Sequence, residues 1–147
     1  LRDPVAAVAW FGRASAAGLP EGLLSLGALA ESGMVPIAAN STPAKTAAEA
    51  YQRILSLPQV AGQTRFEALL RLGNLHFRGL LVSSGASPVP DYASAYQMFK
   101  QAADLAPGNE LAANLLKEAA AKLTPEQIQK LDAAIAEAAK KAAAEAP

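Results

Sequence analysis

Residues 72–103 read LGNLHFRGLLVSSGASPVPDYASAYQMFKQAA, and two helical patterns with a long connection between them can be read from this stretch. In its second half, Ala95, Met98, Phe99, Ala102 and Ala103, with Ala106 just beyond, stand at offsets 0, 3, 4, 7, 8 and 11. That is one face of a 3.6-residue period: small, large, aromatic, then small residues. Asp91 precedes the run and is placed to cap it. In the first half, Leu72, Gly73, His76 and Gly79 follow a second helical spacing, with Gly79 where the helix would stop. The connection over 80–90 is rich in Ser, Pro and small residues.

Both patterns recur outward from this stretch. The first appears as Ala7, Trp10, Phe11, Ala14, Ser15 and Gly18, and again as Ala47, Ala50, Tyr51, Ile54, Leu55 and Pro58. The second appears as Gly22, Leu26, Gly27, Ala30 and Gly33, and again as Ala68, Leu72, Gly73, His76 and Gly79. A weaker third copy is Ala112, Leu116, Lys117, Ala120 and Leu123, with Lys117 at the glycine position. The first-pattern copies start 40 and then 48 residues apart, longer than the roughly 34-residue tetratricopeptide period. Proline and glycine punctuation predicts helices over 4–17, 20–32, 44–57, 63–78, 91–105, 109–122 and 125–144. Asp3-Pro4 reads as N-cap and first turn, and Thr124-Pro125-Glu126-Gln127 as a capping box. No segment has the alternation of a strand.

The expected architecture is all-α, a stack of helix-turn-helix hairpins. An interior glycine costs a helix about 1 kcal/mol relative to alanine, so glycine at the same site in two copies implies close packing there. The aromatic at offset 4 is expected to fill the gap between successive hairpins. Composition agrees: 36 of 147 residues are alanine and only 8 are aromatic, enough chain for one domain, residues 1–147. Thirteen basic and 13 acidic side chains balance, which argues against a nucleic-acid or anionic-membrane surface. No cysteine is present, which removes disulfides, thiolate metal sites and cysteine nucleophiles. The apolar stretch 19–30 is short and broken by Pro20, Glu21, Gly22 and Gly27, so membrane insertion is not expected. Starting at Leu1, the chain reads as a partial or processed product.

The strings AxxWFxxAxxxG and LGxxxxxG, with LGNLHFRG at 72–79, VPDYASAYQMFKQAA at 89–103 and LTPEQI at 123–128, resemble the Sel-1-like repeat family, over about residues 3–130. The resemblance implies a right-handed α-solenoid of about three helix-turn-helix repeats (about 3–33, 44–79 and 91–123) with a C-terminal capping helix at about 125–144. It also implies a module that binds another protein or peptide, as adaptor or scaffold in bacterial cell-envelope signalling, polarity or secretion. A periplasmic location is expected, with a regulatory segment of a larger cytoplasmic protein as the alternative. Members are generally not enzymes, and neither a cofactor nor a metal is expected. The alanine-rich, lysine-poor composition points to a bacterium with a GC-rich genome. In this family the first helices line the concave surface. Offsets 2, 5, 6 and 9 of each first helix lie opposite the packing stripe. They give Ala9, Gly12, Arg13 and Ala16; Glu49, Gln52, Arg53 and Ser56; Gln97, Lys100, Gln101 and Asp104. The candidate protein-binding residues are therefore Arg13, Glu49, Gln52, Arg53, Gln97, Lys100, Gln101 and Asp104. Arg13, Arg53 and Lys100 form a mildly basic line suited to an acidic or polar partner, although ordinary solvated side chains fit the same pattern.

Candidate chemistry is sparse. His76, the one histidine, has no acid at i+3 or i+4 and reads as a replacement for a packing aromatic, not as a ligand or base. Trp10, Phe11, Tyr51 and Phe99 recur at the repeat spacing, as packing residues do. Ser83, Ser84 and Ser87 lie in a loop without a nucleophile or phosphate-loop motif, and no catalytic residue is assigned. An enzyme would need a cleft with perturbed titratable groups, for which candidates are too few. Ile128, Leu131, Ile135 and Ala138 or Ala139 form a narrow stripe on the last helix. Capping explains that stripe, with a partner-binding or coiled-coil helix as the alternative.

Overall fold

In the computed structural model, the residues described are 6, 9, 12–14 and 17–146. Among them every regular element is a helix, and there is no strand. Residues 6, 9 and 12–14 are helical. The Asp3-Pro4 cap and the packing positions Ala7, Trp10, Phe11 and Ser15, together with Ala16, lie outside the described residues. Six helices follow: α1 (Pro20–Glu31), α2 (Pro43–Ser56), α3 (Gly62–Phe77), α4 (Tyr92–Leu105), α5 (Glu110–Ala120) and α6 (Pro125–Glu145). Their ends fall within two residues of the boundaries predicted from punctuation.

Local chemistry explains the starts. Thr42 Oγ1 accepts the Lys45 amide at 3.1 Å and Asn109 Oδ1 accepts the Ala112 amide at 3.0 Å, each satisfying an amide without an intrahelical partner. Asp91 caps α4 twice, accepting the Ser94 amide at 3.0 Å and the Ser94 hydroxyl at 2.6 Å. At α6 the capping box is complete: Thr124 Oγ1 accepts the Gln127 amide at 3.2 Å, and Gln127 Oε1 accepts the Thr124 amide at 2.9 Å. Gly79 ends α3 with φ +69, in the left-handed region, and the connection folds back onto it. The Val89 amide donates to the Gly79 carbonyl at 3.0 Å, and the Asp91 amide to the His76 carbonyl at 2.9 Å.

From α1 to α5 each helix packs on its neighbours in the chain, as in a helical repeat, and the most extensive contacts are α1 on α2 and α3 on α4. Two glycines carry these contacts. A methyl group at Gly27 of α1 would lie 2.7 Å from Cζ of Tyr51 on α2. One at Gly73 of α3 would lie 2.6 Å from Cε1 of Phe99 on α4. Each glycine is thus a seat for the aromatic ring that follows it by one helix. The close approach lies between successive helix pairs rather than within a pair, because the ring needs the space a side chain would take. Both rings are fully buried, Tyr51 at 0% and Phe99 at 1% exposure.

The residue one turn beyond each seat matches the ring that occupies it. Glu31, four residues after Gly27, accepts a hydrogen bond from the Tyr51 hydroxyl and pairs with Arg71 of α3 at 3.5 Å. Burial first, then the hydrogen bond to Glu31, raises the Tyr51 phenol well above its ordinary value. Phe77, four residues after Gly73, instead meets Phe99 at 6.5 Å between centroids and Tyr92 edge-on at 5.2 Å. A hydroxyl therefore finds a carboxylate, and a phenyl ring finds a phenyl ring. The remaining core is mostly aliphatic, with Phe66 and Tyr96 as its other buried rings. Leu23, Ile54, Leu72 and Leu75 join α1, α2 and α3, while Phe66 and Leu69 meet Ala102 and Ala112 from α4 and α5.

Candidate binding groove

The third step of the stack departs from the first two. α6 carries no aromatic residue, and Lys117, at the glycine position of α5, is exposed. With neither seat nor ring, α6 packs more on α4 than on α5, and none of its residues is fully buried. Ile128, Leu131 and Ile135 lean on a cluster of Ala95, Tyr96, Phe99 and Ala119. The Tyr96 hydroxyl pins the helix by donating to Asp132 Oδ1 at 2.7 Å. Burial, then Asp132, pushes the Tyr96 phenol up to about 12.

Because α6 stands off in this way, an open groove of about 520 Å³ runs between it and α4. Arg65 and Leu69 of α3 close one side, Gln97, Gln101, Asp104 and Leu105 of α4 line the middle, and Ala134, Ile135, Ala138 and Ala139 of α6 form the other side. The lining is mainly apolar, with three polar side chains of α4 along it, and its volume lies in the range of about 300–1,000 Å³ usual for ligand pockets. Leu105, in the groove lining, is 45% exposed.

Three of the sequence-predicted residues, Gln97, Gln101 and Asp104, therefore share one groove. The other five do not join them. Glu49, Gln52 and Arg53 are exposed along α2, and Lys100 is half-buried on α4 outside the groove lining. Arg13 lines a separate hollow with Ala14, Ala17 and Leu19. The cation that reaches the groove is Arg65, which the repeat pattern did not single out. It stands in the first turns of α3, and its guanidinium donates to the carbonyls of Leu57 at 3.1 Å and Leu55 at 3.4 Å, at the end of α2. A cation near a helix C-terminus is favourable there. A basic residue shortly after a helix-ending proline is the only signal in the sequence for this contact. Ile135, Ala138 and Ala139 belong to the stripe read as a cap; Ile135 packs on the Phe99 cluster and lines the groove, while Ala138 and Ala139 are exposed in its wall.

A second hollow, about 680 Å³, lies beside the 80–90 connection and is lined by His76, Asp91, Tyr92, Lys122 and Gln127 among others. His76 Nδ1 is 3.7 Å from Asp91 Oδ2, so the histidine has an acidic neighbour 15 positions away rather than on its own helix. Burial lowers the His76 pKa below 6.5, and Asp91 opposes this only in part. Burial also pushes the Asp91 carboxyl up, but the hydrogen bonds from Ser94, with His76 and the Ala93 amide, hold it below its ordinary value. Lys122 Nζ lies 5.8 Å from the centre of the Tyr92 ring. Among the described residues there is no group of three or more His, Asp or Glu side chains able to hold a metal ion, and no helix long and apolar enough to cross a membrane. No protein-family model, curated protein or solved structure matches the chain, so the groove and its residues stand on their own geometry.

Proposed function

We propose that the chain is a protein-interaction module: a right-handed Sel-1-like solenoid of about three repeats, with α6 as its cap and the groove between α4 and α6 as its binding site. Its role is that of an adaptor or scaffold in a bacterial cell-envelope process, in the periplasm. The observation that carries the reading is the groove itself, an apolar trough edged by Gln97, Gln101 and Asp104, three residues of the face that the repeat turns away from its core. Such a surface suits a peptide or helix whose apolar side chains enter while its polar groups meet the glutamines.

A photo-crosslinking side chain at Gln101 should trap a partner protein in cells of the source organism, and one at exposed Glu118 of α5 should not. Equal trapping from both positions, or none from Gln101, refutes the assignment of the groove.

A further inference from the structure

The groove has an unpaired carboxylate at one end. Asp104 stands in the last turn of α4, which contains no basic residue, and its carboxylate makes no hydrogen bond or ion pair among the described residues. Pro107 has no N–H to give, and among the described residues no backbone amide reaches the carbonyls of Ala103, Asp104 and Leu105. A helix C-terminus carries about half a negative charge, so the carboxylate and the helix end add in the same sense. Arg65 lines the same groove but donates to the carbonyls at the end of α2, and neither it nor Lys100, one turn earlier on α4, forms an ion pair with Asp104 among the described residues. Around this end the lining is mainly apolar, with Leu69, Leu105 and Ile135 in it, while Gln97 and Gln101 lie farther along α4.

We infer that the groove takes a short apolar segment of a partner protein that carries a lysine or arginine, with the cation seated against Asp104 and the C-terminal carbonyls of α4. This rests on the interaction-module reading above and names its partner chemistry. The sign is opposite to the one expected from Arg13, Arg53 and Lys100, which do not line this groove. From Gln97 to Leu105 the groove follows about 12 Å of α4, room for two turns of a partner helix. A partner cation there would complete the pairing that α4 lacks, as Arg65 completes it for α2.

The test selects a displayed library of random short peptides on the intact chain and on three variants: Ala138→Arg, which fills the groove, Asp104→Asn, which removes its carboxylate charge, and Asp104→Arg, which reverses it. Both positions are exposed, and helical circular dichroism should be unchanged in each variant. Peptides enriched on the wild-type chain should combine Lys or Arg with apolar residues and lose binding to Ala138→Arg. Asp104→Asn should weaken them about two- to fivefold, as expected for an exposed charge pair, and Asp104→Arg should weaken them further and enrich acidic peptides in their place. Groove-dependent peptides that are acidic or uncharged overturn this inference while leaving the module reading standing. Peptides that bind Ala138→Arg equally well, or no enrichment at all, overturn the groove as the binding site and the inference with it.

Discussion

Substituting Gly73 by alanine puts two opposing effects on one atom. An added methyl group would sit 2.6 and 2.9 Å from two ring carbons of Phe99 and 3.1 Å from Met98 Cβ. Phe99 is 1% exposed and bounded by Phe77, so the ring cannot swing into solvent. Overpacking of this kind costs about 1–3 kcal/mol, while replacing glycine by alanine inside a helix returns about 1 kcal/mol. The net loss should be about 0–2 kcal/mol, too broad a range to decide anything alone. Gly62→Ala supplies the reference, since beyond its chain neighbours and its own helix backbone no atom lies within 4 Å of a methyl group there. Urea unfolding followed by helical circular dichroism should place Gly73→Ala about 1–3 kcal/mol below Gly62→Ala. A double-mutant cycle with Phe99→Leu sharpens the test: with the ring gone, Gly73→Ala should become neutral or stabilising, a coupling of about 1–3 kcal/mol. If Gly73→Ala costs the same with and without the ring, or is as stable as Gly62→Ala, the seat has been misread.

Other outcomes follow from the same geometry. Gly79→Ala should be more damaging than Gly73→Ala in the same urea assay, because φ is +69 and the methyl group would lie 2.5 Å from the Pro90 nitrogen, backbone that cannot give way. Lys117→Gly should cost about 1 kcal/mol of thermal or urea stability rather than gain any, since no ring stands ready to use the space. Tyr96→Phe should cost about 1 kcal/mol and speed amide exchange in α6 by loosening its link at Asp132. As the one histidine, His76 can be titrated by NMR without assignment, and its midpoint should lie below 6.5. A lowered histidine pKa means that the unfolded chain takes up the proton first, so stability should fall as pH drops below 6.5, and His76→Phe should remove that part of the decline.

Much of the packing was legible because it repeats. Tyr51 and Phe99 share offset 4, and Gly27 and Gly73 share a site, so the bulky and the absent side chain could each be placed before their contact was seen. Which helix the glycine faces was not legible, since spacing along one helix carries no information about its neighbour. The pairing of Tyr51 with Glu31 was hidden for the same reason: the two are 20 residues apart and belong to different copies. His76 and Asp91 met through the return of the 80–90 connection, which no helical period describes. The groove was half-legible. Gln97, Gln101 and Asp104 followed from the outward offsets, but Arg65 and the far wall exist only because α6 breaks the pattern, and a broken pattern does not say where the helix goes instead.

The two seats also have a bearing on how the chain can assemble. Exchanging their occupants would leave the Glu31 carboxylate facing a phenyl ring, without its hydroxyl donor, and would set the Tyr51 hydroxyl against Phe77 with no acceptor. A buried hydroxyl left without an acceptor costs about 1–3 kcal/mol, and the second mispairing creates one, while the first leaves Glu31 with Arg71 alone. The helix pairs therefore carry distinct addresses despite their common pattern. Their order along the stack is written into the contacts, and a neighbouring copy of the chain offering the wrong pair during folding is at a disadvantage.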